Sequence, residues 1–186
     1  MNKMQNSKVY SMALIALFAA VTAVFSQIII PIGPVPINLA LLAVFTCGCA
    51  LGWKNGTISI AIYVLLGVVG VPVFTGFQGG LAKVAGPTGG YIIGYLFAVF
   101  IIGLMCDKLG RKVWVMAVSI IIGIIVCYAF GTAWFVFSMG EGIWESLMLC
   151  VFPFLPGDAA KTIATILIIK ALEKTHLLLD TKSVSA

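Results

Sequence analysis

The chain has 186 residues, of which 62% are hydrophobic and only 9% are Asp, Glu, Lys or Arg, against roughly 25% charged residues in soluble domains. So much apolar surface cannot be hidden in a core of this size, which excludes a soluble domain and leaves a single transmembrane domain over residues 1–186 with few residues outside the bilayer. The net charge of +5 does not point to nucleic acid, because the basic residues are dispersed along the chain rather than gathered in one patch.

The first apolar run, "SMALIALFAAVTAVFSQIII", is about twenty residues long, more than the core of a secretory signal, and no small-x-small cleavage site follows it. It predicts a first span over 9–30. Within it Ala16 and Ala20, then Ala19 and Ala23, stand four apart and make a flat stripe, either for internal packing or for docking a partner protein. The closely spaced prolines of "PIGPVP" end this helix. Spans at 37–53 and 56–71 follow, joined by "WKNG", and the two together could form one re-entrant hairpin.

The next connection, "VPVFTGFQGGLAKVAGPTGG", is rich in glycine. It is not a phosphate-binding Walker loop, because Lys83 is followed by valine rather than Ser or Thr. Gly79, Gly80, Gly86, Gly89 and Gly90 instead allow close approach of backbone to a helix or ligand. Phe74, Phe77, Leu81 and Val84 make the stretch too apolar to float in water, so it is expected to fold back onto the helices. Thr88 can cap a fourth span over 89–106, Gly90 and Gly94 form a small-xxx-small pair, and Tyr91 and Tyr95 are interfacial aromatics or cavity walls. The fifth span is 112–137, after "CDKLGRK". "SMGEGIWES" leads to the sixth, 152–175.

Six spans with the N-terminus inside place Lys3, Lys8, Lys54, Lys108, Arg111, Lys112, Lys170, Lys174 and Lys182 on one side and Lys83 alone on the other. That asymmetry predicts cytoplasmic termini. The unusual chemistry then lies in the outer connections, so a binding site should open outward. Five cysteines (Cys47, Cys49, Cys106, Cys127, Cys150) form no C-x-x-C pair, and the one histidine is His176. A metal site is not expected, and the cysteines are read as small apolar packing residues.

Two charges interrupt the sixth apolar segment. In "FLPGDAAK", Asp158 and Lys161 are three apart and share a helix face. Asp158 could cap the last helix while Lys161 snorkels to the interface. Alternatively, the two form the floor of an outward-facing pocket that offers one acceptor and one cation to a polar ligand. No Ser/His/Asp set and no pair of pocket carboxylates accompanies them, so binding is expected rather than enzymatic catalysis.

"GPVPINL", "GVVGVPVFTGFQGGLAKVAGPTGGYIIGY" and "FLPGDAAK", in that order, resemble the BioY family over residues 10–175. BioY proteins are the biotin-specific substrate-binding (S) components of energy-coupling factor transporters in bacterial and archaeal plasma membranes. "GPTGGY" and "PGDxxK" are the specific elements. The resemblance implies an all-α, compact bundle of six transmembrane helices that captures biotin from outside with high affinity. It also implies docking on a module of a transmembrane coupling protein and two ATP-binding-cassette ATPases. ATP is spent in those partners and drives toppling of the loaded component, which accords with the absence of a nucleotide motif here. Biotin is then a transported substrate and no cofactor is expected.

The same resemblance gives the alanines Ala16, Ala19, Ala20 and Ala23 a role in meeting the coupling protein. It implies that Asp158 accepts a ureido N–H, while Lys161 donates to the ureido oxygen or pairs with the carboxylate. Asn38 and Gln78 would add neutral hydrogen bonds, Gly79 and Gly80 close backbone contact, and Tyr91 and Trp134 cover for the rings. The "PIGPVP" loop would act as a lid. Many relatives read "PVPxTLQ" where this chain has "PVPINLA", so the glutamine's role is not carried over to Ala40. The competing readings are an S component for thiamine or riboflavin, a small membrane enzyme, and a pore or self-sufficient carrier.

Overall fold

Glycine and proline divide the apolar sequence into helices, and the computed structural model describes residues 8–30 and 35–175 of the result. In chain order these are α1 (Lys8–Phe25), β1 (Ile29–Ile30), β2 (Ile37–Asn38), α2 (Ala40–Val68), α3 (Leu81–Ala85), α4 (Gly89–Leu109), α5 (Val113–Met139), α6 (Ile143–Cys150) and α7 (Leu155–Lys174). The two short strands pair antiparallel, Ile29 with Asn38 and Ile30 with Ile37. Four helices, α1, α2, α4 and α5, are long and apolar enough to cross a membrane. A fifth candidate is the broken pair α6–α7, bent by 49°. The sixth expected span, 152–175, corresponds to α7 alone, and α6, which precedes it, falls in the expected connection.

Helix α2 is not straight. Gly52 has φ +75° and ψ −176°, a conformation that glycine adopts without the steric cost of a Cβ. Around it Cys47 Sγ lies 3.7 Å from the Gly56 carbonyl oxygen, and a Cβ on Gly56 would stand 3.5 Å from Gly48 Cα. Positions eight apart on a straight helix are about 12 Å apart, so the chain doubles back at Gly52 into arms 40–51 and 53–68. The sequence places this turn in "WKNG"; it comes one residue earlier, and Trp53 to Gly56 belong to the second arm.

The break frees carbonyls at the end of the first arm, which need other donors. Arg111 supplies them, Nε donating to Cys49 O at 2.7 Å and a terminal nitrogen to Ala50 O at 2.8 Å. A cation there also complements the negative end of the helix dipole. Lys170 Nζ donates to Arg111 O at 3.0 Å, and the Trp53 N–H donates to Asp107 Oδ2 at 3.0 Å. One end of the bundle is thus basic and tied by side chains to backbone.

Helix α4 is the central element, packed between α2 and α5. A Cβ on Gly90 would lie 2.3 Å from Trp134 Cβ and 2.4 Å from Phe130 O, and one on Gly94 would lie 3.0 Å from Cys127 Cα. The small-xxx-small pair therefore sets how near α5 can come. Tyr91 and Tyr95 are both buried on the same helix.

At the opposite end, the 71–90 connection folds back as expected, but with two of the four apolar residues named for it. Phe74 is buried, its ring edge-on to Tyr63 with centroids 5.6 Å apart, and it occupies the space a Cβ on Gly67 would need. Val84 is half-buried against the core. Phe77 and Leu81 remain 73% and 69% exposed. The end of α1 pins this segment. Gln27 Nε2 donates to the carbonyls of Val73 and Phe74, both at 3.1 Å, Ser26 Oγ lies 2.6 Å from Val73 O, and Phe77 N donates to Gln27 Oε1 at 2.8 Å.

The alanine stripe of α1 splits in two. Ala19 is buried and Ala23 packs against the core, whereas Ala16 and Ala20 are exposed. At 100° per residue the four alanines span about 100° of the helix surface, and the edge of the core falls within that arc.

Gly90→Val would force α4 and α5 apart at backbone contacts. It is expected to cost about 3 kcal/mol and to lower the midpoint of thermal unfolding in detergent. Ala16→Val, on the exposed face, should change stability by no more than about 0.5 kcal/mol.

Candidate functional site

Helix α7 starts at Leu155 with Pro156 in its first turn, where a missing N–H costs nothing. Asp158 N already donates to Phe154 O at 2.8 Å. Asp158 is therefore inside the helix, and the capping role falls away. Its side chain points into protein and is 1% exposed, with Lys161 at 6%, so Lys161 does not snorkel. Lys161 Nζ donates to Asp158 Oδ1 at 2.8 Å, and the Tyr128 hydroxyl donates to Asp158 Oδ2 in a short bond. Each carboxylate oxygen keeps a further lone pair, and the ammonium has three donors. Among the described residues Lys161 makes no second hydrogen bond, so both groups retain capacity for a ligand.

Beside the pair is a narrow cavity of about 40 Å³, with Lys161 and Tyr128 on its wall. Helices supply Leu41, Tyr63, Lys83, Tyr91, Ile92, Tyr95, Tyr128 and Lys161 to its wall. The segments between helices supply Val35, Pro36, Asn38, Phe74, Thr75, Thr88 and Phe154. Aromatic and aliphatic surface with a few placed polar groups is the composition of a pocket that grips a flat, partly polar molecule. It lies at the end away from Arg111, beside the pinned 71–80 segment.

A family model described as the BioY family matches residues 1–177. The chain belongs to the BioY family. Among its relatives, the "Probable biotin transporter BioY" of Pyrococcus horikoshii is 40% identical over 166 residues, covering 89% of this chain and 98% of that one. The "Biotin transporter BioY" of Thermotoga maritima is 38% identical over 161 residues, covering 87% and 94%. A solved structure, the 2.1 Å crystal structure of the S-component for biotin from an ECF-type ABC transporter, superposes with a TM-score of 0.86. It is 34% identical and covers 94% of this chain and 95% of its own. With its several apolar helices, this BioY protein is a multi-pass membrane protein.

The sequence-derived residues of this BioY chain fall into three groups. Lys161, Asn38 and Tyr91 line the cavity, and Asp158 stands behind its wall, bonded to Lys161 and Tyr128. Asn38 is largely engaged, donating to Thr75 Oγ1 at 2.7 Å and accepting from Ala40 N at 3.0 Å, and so fastens β2 to the 71–80 segment. The Tyr91 hydroxyl donates to Cys150 O at 2.9 Å, which leaves its ring as wall. Gln78 and Gly79 line a separate outer groove with Ala82, Gly86 and Pro87. Gly80 and Trp134 hold backbone in place: Gly80 N donates to Gly67 O at 2.6 Å, and Trp134 Nε1 to Gly86 O at 3.0 Å. Residues 31–34 of the "PIGPVP" loop, expected to act as a lid, and His176 lie outside the described residues; Val35 and Pro36 line the cavity.

Thr88 occupies the N-cap position of α4 but makes no capping bond. Its Oγ1 is buried without a partner, and the residue lines the cavity instead. Sequence reasoning missed Tyr128, which sits thirty positions before Asp158 and looks like one more aromatic in an apolar span. Its hydroxyl was the available signal. Among the described residues no three His, Cys, Asp or Glu side chains gather to hold a metal, and the five cysteines are free and buried.

Lys161→Met would leave a buried carboxylate with its cation removed, expected to cost about 3–5 kcal/mol. The double variant Asp158→Asn/Lys161→Met removes both charges and should unfold at a higher temperature than the single one. Thermal unfolding without ligand compares the two.

Proposed function

We propose that the chain is the high-affinity biotin-binding S component of an energy-coupling factor uptake transporter. The observation that carries this reading is the buried Asp158–Lys161 pair, whose lysine lines a cavity, in a chain whose relatives are biotin transporters. Biotin's ureido group has two N–H donors and one carbonyl. Asp158 accepts from an N–H and Lys161 donates to the carbonyl oxygen, with Tyr128 keeping the carboxylate oriented. The apolar thioether ring lies against Tyr91, Tyr95 and Phe154. Asn38 contributes at the mouth, while Gln78, Gly79, Gly80 and Trp134 act by shaping and holding the segment that closes it.

The two arms of α2 and the broken α6–α7 pair make the bundle one of six crossings in this reading. The end bearing Lys54, Lys108, Arg111, Lys112, Lys170 and Lys174 faces the cytoplasm of a bacterial or archaeal cell by the positive-inside tendency. Both termini then lie inside and the cavity opens outward. The exposed alanines Ala16 and Ala20, with Ala19 and Ala23 behind them, present α1 to a transmembrane coupling protein joined to two ABC ATPases. Those partners hydrolyse ATP; this chain binds and carries, and has no enzymatic step of its own.

Purified full-length protein should bind biotin and quench or enhance its tryptophan fluorescence, while thiamine and riboflavin should not. Asp158→Asn and Lys161→Ala should each weaken biotin by at least about tenfold, the loss of a charge-assisted hydrogen bond being about 1.5–3 kcal/mol. Retention of thiamine or riboflavin instead would transfer the reading to another vitamin.

A further inference from the structure

The cavity and the outer groove adjoin. Lys83 and Thr88 line both, so the two spaces meet where the α3–α4 connection passes the mouth. Each of these side chains has unused polar capacity. Thr88 Oγ1 is buried without a hydrogen-bond partner, and Lys83, only partly exposed, makes no hydrogen bond or ion pair among the described residues. The cavity has two basic lining residues. Lys161 is engaged with Asp158, which leaves Lys83 as the cation open to an incoming anion. Burial lowers the basicity of Lys83, a cost that a bound anion would offset.

The groove beyond is not a closed pocket. Its walls are Gln78, Gly79, Ala82, Gly86 and Pro87, around a volume of about 440 Å³. Glycine, alanine and proline leave it without bulky side chains at the junction. A ligand held by its polar ring at Asp158 and reaching the mouth with its tail would therefore meet a cation first and open room after it.

We propose that the outer groove is a second ligand subsite, entered past Lys83 and Thr88. In it Lys83 takes the free carboxylate of bound biotin, and the groove accommodates groups joined to that carboxyl through an amide. The substrate class then includes biotin conjugates extended at the carboxyl end, such as biotinyl-lysine, as well as the free acid. This rests on the biotin reading above.

Calorimetric titration of the purified full-length protein with biotin, neutral biotinamide and biotinyl-lysine tests it. The unaltered chain should bind biotinyl-lysine within about tenfold of biotin. Lys83→Gln should weaken biotin by about tenfold, the worth of one exposed-to-half-buried charge-assisted contact, and leave biotinamide unchanged. Ala82→Trp, which fills the groove from an exposed position on α3, should weaken biotinyl-lysine by about tenfold or more and spare biotin. Binding of biotin with rejection of biotinyl-lysine would overturn this inference alone. So would a Lys83→Gln chain that loses biotin and biotinamide equally, or neither. A chain that bound no biotin at all would overturn the biotin reading and this inference together.

Discussion

The cavity end of the molecule is organised around one carboxylate buried inside a membrane protein. Burying a lone charge in such surroundings is costly, and Asp158 meets that cost with a cation one helical turn away and a phenol from the facing helix. The three groups come from α7 and α5, so their meeting requires those helices to be in register. Because Asp158 and Lys161 are satisfied by each other only in part, the site is stable when empty and still has donors and acceptors to offer. A pair fully occupied by protein would be a structural clamp; a pair with no protein partner would be too expensive to hold ready.

The rest of the fold separates a fixed end from an adaptable one. At the basic end, Gly52 reverses the chain and Arg111 serves the carbonyls that the reversal exposes. Helix α4 lies close against its neighbours because glycines face them. At the other end the cavity is roofed by connecting segments, whose residues Val35, Pro36, Thr75 and Lys83 supply part of the wall. These segments are held by a small number of hydrogen bonds from Ser26, Gln27 and Asn38. Short, side-chain-mediated attachments of this kind open at lower free energy than a packed helix interface. Ligand entry is therefore easiest through that end.

The same attachments join α1 to the cavity. Ala16 and Ala20 lie on its outward face, and Gln27, at its far end, touches the segment beside the cavity. One helix thus carries an exposed alanine face and the pin that holds the roof.

How much of this was legible from residues alone can be traced through particular positions. Membrane insertion, the existence of the apolar helices and the sharing of one helix face by Asp158 and Lys161 were readable, because hydrocarbon surface and helical spacing are local properties of the sequence. The Gly90–Gly94 contact was readable for the same reason: only small residues allow backbones so near. Three things needed the folded chain. Gly52, not the adjacent "WKNG", turns α2, because the turn falls where Arg111 and Asp107 can serve the freed backbone groups. Thr88 occupies a cap position yet lines the cavity, a choice between two hydrogen-bonding environments that sequence leaves open. Tyr128 reaches Asp158 from another helix across thirty residues, and the alanine stripe divides between core and exterior. Such pairings depend on the rotation and depth at which helices pack, and those are decided by the sum of many weak contacts rather than by any one residue's chemistry.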